Sequence, residues 1–121
     1  MARTKWIDHM GKRIFFIDFS NTNYAGIRET VEEAKPIISA QSKNSILCLV
    51  DTTGTKFALD ISKDVKDFTM HNKPYMKMTA LIGLEGIQKV ILNTAMVFTK
   101  RENFVLKNSY NEAMDFLALL D

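Results

Sequence analysis

The sequence predicts an α/β fold: a mixed sheet of four or five strands, opened by a β-hairpin, with helices packed against it. Three observations carry this. Two β-rich runs at the start, residues 6–10 and 14–20, are joined by Gly11-Lys12-Arg13. A continuous apolar run at residues 45–50 ends at Asp51 and has the character of a strand buried on both faces. Beyond it, stripes of helical period alternate with further short apolar runs. The resulting order is β-β-α-β-α-β-α-β-α, which implies parallel neighbours joined by right-handed crossovers.

Each element has its own justification. In the second run only Asp18 interrupts a sequence that is apolar on both faces, so cover is expected on both sides. Thr22 or Asn23 can cap a helix reaching about Gln41. Tyr24, Ile27, Val31, Ala34 and Ile38 recur at steps of three and four along it. Pro36 lies inside that stretch, removes one backbone donor, and predicts either a kink near Glu32 or two shorter helices. A second helix runs from Ser62 through Val65 and Phe68 to His71 or Asn72 and is stopped by Pro74. Residues 75–82 form the next strand, closed by Gly83. A third helix is expected over 84–99, apolar at Ile87, Ile91, Ala95 and Phe98, with Val90, Leu92 and Val97 widening the stripe. Residues 104–106 are a short strand. Asn108 or Ser109 caps a last helix, and Ser109-Tyr110-Asn111-Glu112 has the spacing of a capping box. Leu47, Leu49, Ile17, Ile82, Ile91 and Phe116 are expected in the core.

The 121 residues fit one domain at about 150 residues per domain, and residues 1–121 are read as such. An apolar fraction of 46% with 25% charged residues is ordinary for a folded protein and excludes bulk disorder. A net charge of +2 with no basic stripe gives no footprint for nucleic acid. A lone cysteine, Cys48, excludes an internal disulfide and a cysteine-rich zinc site, and fits a reducing, cytoplasmic setting. No apolar run reaches a membrane-spanning length, and the start of the chain lacks the apolar core of a signal peptide.

The order of elements, the buried strand Ile46-Leu47-Cys48-Leu49-Val50-Asp51, the loop Thr52-Thr53-Gly54-Thr55-Lys56-Phe57 and the segment His71-Asn72-Lys73-Pro74-Tyr75 together resemble the STAS-like superfamily. This is the fold of bacterial anti-sigma-factor antagonists, shared by the CRAL-TRIO lipid-transfer domains. Small bacterial proteins of this type carry a similar Asp-x-x-Gly-x-x-Phe loop and His-Asn-Lys-Pro segment. The resemblance covers nearly the whole chain. It implies a non-enzymatic interaction or regulatory module whose serine, at the start of the helix after the central strand, is phosphorylated by a partner kinase. The matching stretch is Asp60-Ile61-Ser62-Lys63, which makes Ser62 the candidate phospho-acceptor, with Asp60 two residues before it. Lys63 stands where the usual Asp-Ser-Ser-Gly pattern has glycine. The CRAL-TRIO relationship implies an alternative, a small-molecule or lipid-binding domain with an apolar pocket.

The string Asp51, Thr52, Thr53, Gly54, Thr55 forms the candidate site loop. It is also similar to the aspartyl-phosphate signature of haloacid-dehalogenase-type hydrolases, in which the Asp is the nucleophile. That chemistry needs a lysine and a further acidic group to hold magnesium. The strand ending at Ile82 leads into Gly83-Leu84-Glu85-Gly86, without the Asp pair. The structural alternative is a strand-end turn, with Asp51 accepting from loop amides and Gly54 at positive φ. Ser62 can equally be a helix N-cap, a role compatible with phosphorylation. His9 and His71 are isolated, Cys48 lies mid-strand, and no catalytic set, metal site or cofactor is assigned. Met70, Met76, Met78 and Met96 either fill the core or line an adaptable pocket. The wide apolar girth of the 84–99 helix predicts an interface, with a protein partner or a second copy as occupant.

Overall fold

The computed structural model describes residues 2–55, 62–85, 89–90 and 103–120. Within them, five strands form a single sheet in the order β1-β2-β3-β4-β5, so neighbours in sequence are neighbours in space. The opening hairpin pairs β1 (Thr4–His9) with β2 (Lys12–Asp18), antiparallel, at the sheet edge. Its turn is Met10-Gly11, both at positive φ (51° and 80°), the geometry that matches strand twist. β1 begins at Thr4, earlier than the apolar run indicates. Its extra residues are tied to the helix behind it, where the Thr4 amide donates to Glu33 Oε2 at 2.8 Å.

From β2 onward the sheet is parallel. β3 (Ile46–Asp51) is central, flanked by β2 and by β4 (Met76–Ile82), and β5 (Phe104–Leu106) closes the far edge. Residues Ile46 to Val50 are all buried, as a strand covered on both faces requires. A register irregularity between Ile46 and Leu47 lets β4 begin at Met76.

The period-two alternation divides the strands between two cores. Phe15, Ile17, Cys48, Val50 and Leu81 face one side, where they meet α1 (Tyr24–Ser39) and α2 (Ser62–Asn72). Ile14, Leu47, Leu49, Ala80 and Ile82 face the other, where α3 (Tyr110–Ala118) lays Ala113, Met114 and Leu117 on them.

α1 is one continuous helix, not two. Asn23 is its cap, accepting from the Gly26 amide at 3.1 Å. Pro36 lies near its carboxyl end, so its missing donor costs only the bond to Glu32 before the helix stops. Tyr24, expected on the core stripe, is exposed instead, and its hydroxyl donates to Asp64 Oδ2 of α2 at 2.6 Å. Phe116, expected in the core, is half-buried, with Lys107 Nζ 4.3 Å from its ring centre. α3 starts after Ser109, whose Oγ accepts from the Glu112 amide at 3.1 Å, the bond the capping-box spacing predicts.

The expected third helix falls mostly outside the described residues. Lys89 and Val90 are helical, and Val90 is exposed. Leu84 and Glu85, expected to start it, are irregular, and Leu84 is buried against the α1–α2 core. Ile87, Ile91, Leu92, Ala95, Val97 and Phe98 lie outside the described residues, so the expected burial of Ile91 and the girth of that helix do too.

Candidate functional site

The carboxyl ends of β2, β3 and β4 meet in a tightly bonded set of loops. Phe19 N donates to Asp51 O and Asn21 N to Thr53 O, both at 2.8 Å, so the chain beyond β2 runs alongside the chain beyond β3. Thr52 is buried and donates twice to Ile82 O, from its amide at 2.9 Å and its hydroxyl at 2.8 Å. Thr55 is buried as well, its hydroxyl donating to Phe19 O. These bonds consume the polar groups that a buried loop must satisfy.

Asp51 is half-exposed. Its Oδ1 accepts from the Thr53 amide at 2.9 Å, the turn predicted from sequence, and Gly54 has φ +70°. Thr53 and Gly54 form the exposed tip. On the β2 side, Asp18 Oδ1 accepts from the Ser20 amide at 2.8 Å, and Arg3 Nη1 donates to the carbonyls of Asp18 and Ser20 at 3.1 and 3.0 Å. The extended amino-terminal segment therefore braces the same end of the sheet.

α2 stands beside this platform. Ser62 is its first residue and Asp64 lies in its first turn. Thr52 of the loop and Asp64 of α2 border one common cavity, which places the two elements together. Phe68 of α2 meets Phe19 edge-on at 6.2 Å. Lys63 points outward and pairs with Asp67 at 3.7 Å. Asp60, the remaining candidate, lies outside the described residues. The structure thus brings Asp51, Thr52, Thr53, Gly54 and Thr55 to one end of the sheet, next to the helix that Ser62 begins.

The other candidates do not converge there. His9 is at the opposite end of the sheet, its Nε2 2.8 Å from Asp115 Oδ1 of α3. His71 Nδ1 lies 2.8 Å from Asn72 Oδ1 at the end of α2. Cys48 is buried within the α1–α2 core. The methionines read as either core filler or the lining of a pocket are dispersed. Met70 is exposed, Met76 is buried under α1 and α2, Met78 is on the other face, and Met96 is outside the described residues. Among the described residues of this set, Met76 borders the apolar cavity between α1, α2 and the sheet, which measures about 80 Å³. Ligand pockets run from about 300 Å³ upward.

No helix among the described residues is long and apolar enough to cross a membrane, and no cluster of three potential metal ligands occurs among them. No protein-family model matches the chain, and no curated protein matches it. Solved structures superpose on it over nearly its whole length. An uncharacterized protein of the DUF3478 family with a SpoIIAA-like fold, from Shewanella loihica PV-4, superposes with a TM-score of 0.70 at 16% identity, over 94% of this chain and 91% of that one. An anti-sigma-factor antagonist (STAS) domain protein from Planctomyces limnophilus gives a TM-score of 0.64 at 11% identity, over 97% of this chain and 99% of that one. The chain has the STAS-like fold. At these identities the fold is what is shared.

Proposed function

We propose that this chain is a non-enzymatic regulatory module of STAS type that acts in the cytoplasm by docking another protein, and that phosphorylation of Ser62 releases the partner. The observation that supports this best is the platform itself. The Asp51 loop has an exposed tip at Thr53 and Gly54, and its Thr52 borders one cavity with Asp64 of the first turn of α2, in a fold used by an anti-sigma-factor antagonist domain protein. A phosphate on Ser62 would add close to two negative charges next to Asp64. The start of a helix tolerates that charge well, so the fold survives and the cost falls on an acidic partner surface.

The aspartyl-phosphate reading has less support. Asp51 already uses one carboxylate oxygen to hold the Thr53 amide. Magnesium-dependent hydrolysis of a phosphate ester that vanishes in Asp51→Asn would restore it. The lipid-binding alternative is weakened by the small volume of the apolar cavity.

The test compares wild type, Ser62→Ala and Ser62→Asp as baits in the host lysate, with light scattering on each purified protein. Wild type and Ser62→Ala should retain one stoichiometric partner, or a second copy, and Ser62→Asp should lose it while keeping its melting temperature. A strictly monomeric protein that captures nothing, with Ser62→Asp indistinguishable from wild type, overturns the proposal.

A further inference from the structure

β1 is an outer strand of the sheet, and among the described residues no strand lies beyond it. The phase of the ladder says which of its groups point outward. Asp18 N donates to Arg3 O on the β1 side of β2, while Phe19 N donates to Asp51 O on the β3 side. Antiparallel pairing alternates residue by residue, so Lys5, Ile7 and His9 bond to β2, and Thr4, Trp6 and Asp8 turn their backbone groups away from it. The Thr4 amide is taken by Glu33, which also accepts from the Arg3 amide. Trp6 and Asp8 keep both N–H and C=O unpaired among the described residues.

An edge of this kind accepts another extended strand, and charged side chains ordinarily deter one. Lys5 and Asp8 are both exposed on β1, but a second β1 meets each with its complement. With the strands antiparallel about a two-fold axis through Ile7, Trp6 lies opposite Asp8 of the second copy. The free amides of these residues then meet the free carbonyls of the same residues across the axis. Thr4, with its Glu33, falls past the last bonded pair. A register centred on Trp6 instead would drive Asp8 of the second copy onto the Glu33 carboxylate. On the α1–α2 face, Arg13 Cζ lies 3.9 Å over the Trp6 ring, so the incoming Asp8 arrives beside a guanidinium. On the α3 face, the incoming Lys5 arrives opposite His9, whose Nε2 is 2.8 Å from Asp115 Oδ1, so an ammonium joins that carboxylate. Between these pairs Ile7 faces Ile7, continuing across the axis the apolar row it shares with Ile14.

We propose that two copies of this chain pair through β1, antiparallel and centred on Ile7, joining two five-stranded sheets into one. The occupant of the edge is a second copy because the charges on the strand are complementary to the same strand turned round, and the contact closes as a two-fold dimer. The pairing goes beyond docking at the Asp51 loop. Neither Ser62 nor that loop contributes a group to it, so the two readings can fail separately.

The experiment is sedimentation of the purified chain across a concentration series, together with mild oxidation of variants that carry one added cysteine. Wild type should show a reversible monomer–dimer equilibrium, and Ser62→Asp should keep it. Asp8→Pro removes an outward amide from each copy and leaves the β1–β2 ladder intact, the position at which an edge strand tolerates proline. It should weaken the dimer by roughly tenfold or more, with the melting temperature of the dilute monomer unchanged. Ile7→Cys should close an intermolecular disulfide, because residues facing each other on the axis as a non-hydrogen-bonded pair have Cα atoms about 4.5 Å apart. Lys5→Cys, exposed but opposite His9 and far from its own counterpart, should not. The cysteine arm decides the matter even where proline disrupts the strand. A chain monomeric at every concentration, no disulfide in Ile7→Cys, one that forms as readily in Lys5→Cys, or a dimer that Ser62→Asp dissolves and Asp8→Pro leaves whole overturns the inference.

Discussion

Two glycines hold the loops of the carboxyl end together, and they do so against different obstacles. At Gly54 a β-carbon would fall 2.2 Å from Asn21 Oδ1, the movable end of a side chain. At Gly83, where φ is +86°, it would fall 2.4 Å from the backbone nitrogen of Thr53. Backbone cannot step aside, so Gly83→Ala should be the more damaging of the two. Gly54→Ala should cost on the order of 1–3 kcal/mol and Gly83→Ala more, read from urea midpoints. Asp51→Ala should cost about 1 kcal/mol, because the Thr53 amide loses its acceptor, while Asp51→Asn keeps an oxygen in place and should cost less. The turn at Gly54 was legible in the sequence, since an Asp followed by Thr-Thr-Gly after a strand is local turn chemistry. The role of Gly83 was not, because its constraint is imposed by a loop distant in sequence. The exposure of Tyr24 was hidden for the same reason: its partner, Asp64, belongs to another helix.

At the scale of elements, α3 gives the clearest case of a boundary written in local sequence. Ser109 precedes it, Glu112 follows at capping distance, and the observed bond runs from the Glu112 amide to Ser109 Oγ. Ser109→Ala should lower stability by about 1 kcal/mol, measured by thermal or urea unfolding. A Ser109→Asp variant should recover most of it, since aspartate caps equally well and suits the positive end of the helix. α1 shows the limit of the same approach. Proline marks a defect in a helix wherever it occurs, and the sequence pattern overstated its effect because Pro36 falls close to where the helix ends. The methionines show another limit. Composition counts them but does not say which face each one occupies, and the structure divides Met76 from Met78 across the sheet.

For the molecule as a whole, the central position of β3 makes it the best-protected element. Its residues lie between two cores and two parallel neighbours. The amides of Leu47 and Leu49 should exchange slowest of all, at rates set by global unfolding, and faster exchange there than in β1 would contradict this. Leu49→Ala should destabilise by about 2–5 kcal/mol, the range for a fully buried leucine. The fold class, the edge hairpin and this central strand were all readable, because continuous apolar runs and alternating periods are set by burial.

α3 also does something that its short length conceals. Among the described residues it is the helix that covers Ile14, Leu47 and Leu49; it reaches back to the hairpin through Asp115 to His9, and just beyond its end the Leu120 carbonyl accepts from Lys12 Nζ at 2.7 Å. During synthesis the strands emerge in the order in which they pair, yet this cover emerges after all of them. A chain that lacks residues 110–120 would therefore leave Ile14, Leu47 and Leu49 without the cover that Ala113, Met114 and Leu117 give them. Apolar surface left open in that way draws chains to one another, so such a truncation should yield aggregates in place of a folded fragment.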